Sequence, residues 1–249
     1  MIHIYTSQSK RYFEHIGKYC LASILKYLPP DTKITVTTED YADFPRLDPR
    51  IEVLDLYALN NGFKRFEDHW TGKTMAKVIA FAKKGYTVLH ACETVDRNDT
   101  MVWLDADAHF KMPVDEAWCK RILANNLAAH LGVMHDDGEF TIESGFFMMN
   151  PAHAGFDDFA RIYRDYYDND RCEGMGRFYD SNVQGHVAQD CEKLGHTFTE
   201  MNLRKKGNTP IRGSMVEAQV GHYKGKVKHD ADHHYQQYGL DEYVAKVLA

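Results

Sequence analysis

The sequence predicts an α/β fold built on a mostly parallel sheet with helices on both faces, and three observations carry that prediction. Short apolar runs alternate with stretches of helical periodicity from residue 2 onward, the β-then-α order that gathers parallel strands into one sheet. Helix stops are written into the chain, as where Pro29-Pro30 ends a long apolar stripe. The apolar run Met101–Leu104 delivers Asp105 and Asp107 at its carboxyl end, the side on which such sheets bind ligands. With 249 residues, 44% of them hydrophobic, the chain can fill one substantial core, and a single domain over 1–249 is expected.

The elements follow in order. Ile2 to Tyr5 reads as the first strand, and Lys10 to Leu28 as a helix with Phe13, Ile16, Cys20, Ile24 and Leu28 near one stripe. Lys33 to Thr37 and Ile51 to Leu56 read as strands joined by the polar, Pro-containing loop Glu39 to Arg50. Thr74 to Lys84 is predicted helical, Met101 to Leu104 a buried strand, and Asp115 to Leu123 a helix with acidic residues in its first turn. Strands are expected over Ala129 to Met134 and Phe140 to Met149, then helices over Phe156 to Tyr167 and Asn182 to Leu194. Short strands near Thr197 to Met201 and Val216 to His222 and a last helix, Asp241 to Leu248, complete the pattern. Trp70, Trp103 and Trp118 read as core or pocket walls, and Tyr163, Tyr166 and Tyr167, at helical spacing, as packing residues.

Asp105 and Asp107 lie one residue apart, so two hard oxygen donors can reach a common centre and suit Mg²⁺ or Mn²⁺ holding a diphosphate. An isolated Asp-x-Asp is more readily the acidic end of a buried strand. The segment His222-Tyr223-Lys224-Gly225-Lys226-Val227-Lys228 adds an imidazole that can ligate Mn²⁺, a glycine that lets backbone approach phosphate, and lysine charge.

Together these segments resemble the retaining glycosyltransferases of family 8, which carry a hydrophobic-Leu-Asp-x-Asp strand end and a late His-[Phe/Tyr]-x-Gly-x-x-Lys motif; His222, Tyr223, Gly225 and Lys228 match the latter. Glu143-Ser144-Gly145-Phe146-Phe147-Met148-Met149-Asn150 is similar to that family's Asn-x-Gly strand under the sugars, with Glu143 in place of Asn. Tyr179-Asp180-Ser181-Asn182 sits where the family often has Asp-Gln-Asp, with Ser181 in place of Gln. Ile2 to Thr6 resembles its first nucleotide-binding strand, and Thr74-Met75-Ala76-Lys77 its helix bearing a basic donor contact, although extra residues around Tyr86 to Asp99 disturb that alignment.

The resemblance implies a GT-A, Rossmann-like fold with a nucleotide-binding part over about 1–110 and an acceptor and clamp part over about 111–249. It implies a metal-dependent transfer, with retention, from a nucleotide-sugar donor, UDP-hexose or UDP-N-acetylhexosamine favoured, to a hydroxyl acceptor. Asp105, Asp107 and His222 would hold Mn²⁺ or Mg²⁺, and Tyr5, Thr6, Lys77, Asp105, Gly225 and Lys228 the donor. Ser144, Gly145, Ser181 and Asn182 would line the sugar pocket. Asp180 is the leading catalytic carboxylate with Glu143 its rival, and a helix N-cap is the structural alternative for Asp180.

A net charge of -6 gives no global drive toward nucleic acid or anionic membrane, so a glycan, lipid or protein hydroxyl is favoured over a modified nucleic-acid base as acceptor. Five cysteines, widely spaced and without a Cys-x-x-Cys pair, argue for reduced thiols in a cytoplasmic setting, and no signal or membrane-spanning stretch is expected. His229 to His234 reads as a polar tail and His135-Asp136-Asp137 as a turn.

Three other classes compete. A haloacid-dehalogenase-like phosphatase would place Asp-x-Asp near its first strand and leave His222 to Lys228 unexplained. A noncatalytic nucleotide-sugar or carbohydrate-binding module would bind without turnover. A sugar-1-phosphate nucleotidylyltransferase would need a Gly-rich N-terminal loop where this chain has Thr6-Ser7-Gln8-Ser9-Lys10-Arg11.

Overall fold

A computed structural model describes residues 1–59, 61–72, 76–135, 138–175, 178–203, 211–222 and 235–248. Strands β1 (Ile2–Ser7), β2 (Lys33–Thr38), β3 (Ile51–Asp55), β4 (Thr100–Leu104), β6 (Ala128–His130), β9 (Phe146–Met149) and β10 (Phe198–Glu200) form one sheet, ordered β10-β6-β9-β4-β1-β2-β3. The β1-β2, β2-β3, β1-β4 and β6-β10 pairs are parallel, whereas β9 runs antiparallel to both β4 and β6. This is the predicted α/β architecture, with one reversed strand.

Alternation along the central strands feeds two cores. Tyr5, Trp103, Phe147 and Met149 face one side, where α4 (Asn61–Trp70), α5 (Ala76–Thr94), α7 (Phe156–Asp168) and α8 (Asp180–Lys193) pack. Ile4, Val102, Leu104, Phe146 and Met148 face the other, against α2 (Lys18–Tyr27) and α6 (Glu116–Leu123), which Asp115 caps by accepting from the Trp118 N–H. Burial on both faces is why these strands read as continuous apolar runs.

Several boundaries differ from the sequence prediction. The first helix is not uniform: α1 (Lys10–Tyr12) passes through a π-helical segment, Phe13–Gly17, before α2. The helix expected to stop at Lys84 continues to Thr94, so of the supposed extra residues around Tyr86 to Asp99 those up to Thr94 are its second half. Gly85 did not break it; a Cβ there would lie 2.3 Å from the Tyr167 ring, so the glycine is where α7 crosses α5. Helices α3 (Leu56–Leu59) and α4 were not anticipated, although Phe63, Phe66 and Trp70 repeat at helical spacing and are all buried.

The strand expected over Phe140 to Met149 is two. Residues β7 (Gly132–Met134) and β8 (Phe140–Ile142) make their own hairpin, and Glu143, Ser144 and Gly145 leave it to enter β9. Only Val220–His222 of the expected late strand is extended; as β11 it pairs antiparallel with β5 (Ala108–Phe110). The chain's last described helix, α9 (Leu240–Leu248), lies on α2. Among the described residues no helix is long and apolar enough to cross a membrane.

Two buried histidines set an expected pH response. Burial pushes His130 down to about 4, and burial with the nearby Lys33 ammonium does the same to His3, from an ordinary 6.5. The unfolded chain therefore binds more protons between these values. Stability from these sites is complete above about pH 6.5 and is lost as pH falls toward 4, by an order of about 2–4 kcal/mol for each histidine. Urea unfolding of His130→Gln across this window should show a shallower acid limb; an unchanged limb would mean His130 is already protonated when folded.

Candidate functional site

Topology brings the sequence-distant motifs to one edge of the sheet. The parallel strands β1 and β4 end there, and the reversed β9 begins there, with Leu104 opposite Phe146. The Asp105 N–H donates to the Gly145 carbonyl at 2.8 Å, so the Asp-x-Asp turn and the Glu143–Gly145 approach are tied backbone to backbone. Pairing of His222 with Ala108 then carries an imidazole from 115 residues downstream to Asp107, with Nε2 3.0 Å from Oδ1.

An open cleft of about 850 Å³ lies over this edge, within the range of nucleotide-sized ligand sites. Asp105, Asp107, His222, Glu143, Ser144, Asp180, Ser181 and Asn182 all line it, so most sequence-nominated residues converge. Ser7, Gln8, Ser9, Tyr12 and Glu39 line it too, near the end of β1. Tyr5 and Thr6 are fully buried and do not line it: the Tyr5 ring lies in the core, with its hydroxyl 3.0 Å from His3 Nδ1. Lys77 is exposed on α5 and also outside the lining. Tyr223, Gly225 and Lys228, together with Asp136-Asp137 and His229 to His234, lie outside the described residues.

The residue the sequence reading missed is Lys84, two helical turns beyond Lys77. Only 8% of its side chain is exposed, and its ammonium contacts Asp105 Oδ1 at 2.8 Å and Asp180 Oδ2 at 2.9 Å while donating to the Ser144 carbonyl. Burial alone would depress this ammonium, but the two carboxylates outweigh it and hold the pKa above its ordinary value. A signal existed: Lys84 interrupts an otherwise apolar stripe of Phe81, Val88, Ala91 and Val95. A buried lysine in such a stripe needs an anionic partner.

Asp105 also accepts from the Trp103 indole N–H at 2.7 Å, which makes Trp103 both a core residue and a wall of the site. Burial and the neighbouring Asp107 raise the Asp105 carboxyl above the usual range, against the pull of Lys84. Asp180 is not the helix N-cap: it is the first residue of α8, the cap is Tyr179, and no side chain caps that end. Its Oδ2 accepts from the Ser144 hydroxyl at 2.5 Å as well as from Lys84. Ser181 follows it into the cleft, and Asn182 donates to Glu139 at 2.5 Å.

Ligand atoms of Asp105, Asp107 and His222 all lie within 4.8 Å of one another, the one such group among the described residues. Two carboxylates and an imidazole fit Mn²⁺ or Mg²⁺ in kind and charge. The Asp107 and Glu143 carboxylates overcome burial and raise His222 from an ordinary 6.5 to about 9.

No protein-family model matches the chain, and no curated protein sequence does. Solved structures do. Galactosyltransferase LgtC, in complex with donor and acceptor sugar analogs, superposes with a TM-score of 0.58 at 12% identity, over 100% of this chain and 97% of that one. An active-site mutant of LgtC gives 0.53 at 12% identity, over 90% and 88%. Apo mouse xyloside xylosyltransferase 1 gives 0.53 at 9%, over 81% and 85%. At these identities the likeness is one of fold, and the fold is the GT-A fold of glycosyltransferases.

Proposed function

We propose that this protein transfers a sugar from a nucleoside-diphosphate donor to a hydroxyl acceptor, with a divalent cation and with retention at the anomeric carbon. The observation that carries the reading is the convergence of Asp105, Asp107 and His222 within 4.8 Å at the floor of a cleft in this fold. UDP-hexose or UDP-N-acetylhexosamine remains the favoured donor. A glycan, lipid or protein hydroxyl is the favoured acceptor, with a modified nucleic-acid base behind them. The five cysteines are unpaired and buried, which supports a reducing, cytoplasmic setting.

A cation held by Asp105, Asp107 and His222 would supply Lewis-acid stabilisation to the departing diphosphate. The chain's own residues do the rest. Lys84 fixes Asp105 on one side and Asp180 on the other, so the donor's phosphate end and its sugar are held in one frame. Ser144 orients the Asp180 carboxylate in the cleft, where it would accept from a sugar hydroxyl or face the electron-poor anomeric carbon. Ser144, Ser181 and Asn182, which line the cleft, would form the sugar pocket with Gly145, which lies outside the lining, and Lys228 with Gly225 would close on the phosphates. The division into a donor part over about 1–110 and an acceptor part over about 111–249 belongs to this same reading.

Thermal unfolding with UDP, GDP and CMP, each with and without Mn²⁺, tests it. A nucleotide at about 100 times its Kd should stabilise the protein by roughly 2.7 kcal/mol, a shift of several degrees. The shift is expected with one nucleotide, only with Mn²⁺, and not in Asp107→Ala or His222→Ala. No shift with any nucleotide, beside turnover of a generic phosphate ester, would replace this reading with that of a phosphatase.

A further inference from the structure

We propose that Glu143 is a positioning residue for the cation site, holding the His222 ring so that Nε2 faces Asp107 and the cation; the proposal rests on Asp105, Asp107 and His222 being the ligands. Glu143 is only 7% exposed although it borders the cleft, and a carboxylate that deep needs a specific partner. Its Oε1 lies 3.4 Å from His222 Nδ1 and accepts the Gly145 N–H at 3.2 Å. The Glu143 N–H donates to the Leu131 carbonyl at 2.8 Å, which fixes the backbone from which the side chain extends. Glu143 is not part of the ligand group formed by the other three residues.

The two imidazole nitrogens are thereby given different tasks. With Nδ1–H donating to Glu143, the Nε2 lone pair is left for a metal, and the carboxylate behind the ring makes that lone pair more basic. Gly145 completes the arrangement by leaving room: a Cβ there would lie 2.5 Å from His222 Cε1. Glu143 therefore acts through His222 and not on the sugar. This separates it from Asp180, which is tied to Lys84 and Ser144 instead.

The test is Mn²⁺ affinity, read from the free-ion EPR signal, for the whole chain and its Glu143→Gln and Glu143→Ala variants. Loss of an orienting carboxylate typically weakens a metal site 10–100-fold. Glu143→Gln keeps an oxygen for the Gly145 N–H but loses the charge, so roughly tenfold weakening is expected; Glu143→Ala should approach a hundredfold. The visible absorption of bound Co²⁺ should also change in Glu143→Gln, because the ring reorients, while its melting temperature stays near that of the parent protein. Mn²⁺ affinity and Co²⁺ spectrum unchanged in Glu143→Gln would overturn the proposal. If the unaltered protein itself takes up no Mn²⁺, the cation-site reading falls and this proposal with it.

Discussion

Lys84→Met is expected to destabilise the protein by about 3–5 kcal/mol near neutral pH, the usual cost of removing one member of a buried charge cluster. The lysine is held between Asp105 and Asp180, whose side chains are 27% and 11% exposed, so two carboxylates lose their counter-charge together. Asp105 is already raised by burial and by Asp107, and without the ammonium it rises further. A carboxyl raised in the fold binds protons more readily than in the unfolded chain. The deficit should therefore shrink as pH is lowered through the folded-state value. Adding Asp180→Asn should restore part of the loss, since one of the stranded charges is gone. Urea unfolding at two pH values measures all three quantities. A loss below about 0.5 kcal/mol, typical of a surface position, would mean that solvent and not Lys84 neutralises these groups.

Gly145→Ala is expected to displace His222 and weaken cation binding at the proposed site while the protein still folds. Its Cβ would lie 2.5 Å from His222 Cε1, 2.7 Å from Nδ1 and 3.1 Å from Glu143 Oε1, so the imidazole must leave its place beside Asp107. The expected signature is at least about a tenfold weaker cation, worth about 1.4 kcal/mol of binding. The overpacking cost to the fold is about 1–3 kcal/mol. Isothermal titration with Mn²⁺, paired with a melting curve, separates the two. Parent-like Mn²⁺ affinity in a folded Gly145→Ala protein would remove His222 from the ligand set.

The parts of this architecture legible in sequence are those set by local pattern. Apolar runs such as Met101–Leu104 declared central strands because both their faces are covered, and Pro29-Pro30 declared a helix end. The convergence of Asp105, Asp107 and His222 was legible through their chemistry. What escaped depends on contacts between distant segments. Gly85 resembles a stop signal until Tyr167 is seen to occupy its missing side chain. The reversal of β9 is decided by pairing with β4, which nothing in Phe146–Met149 announces. Lys84 stands in the sequence prediction only as the end of the helix Thr74 to Lys84, because its partners are 21 and 96 residues away, the latter by the difference between positions 84 and 180. Glu143 was visible as a carboxylate among apolar neighbours, yet its connection to His222 required the small β5-β11 pairing.

That pairing also sets an order of events during synthesis. His222 follows Asp107 by 115 residues, and a ribosome adds roughly 5–20 residues per second. Asp107 thus leaves the ribosome roughly 6–23 seconds before the His222 imidazole, and strands β1 to β4 leave earlier still. A nascent chain can begin to build its scaffold while it holds only the two carboxylates of the candidate cation group, whose imidazole waits for β11.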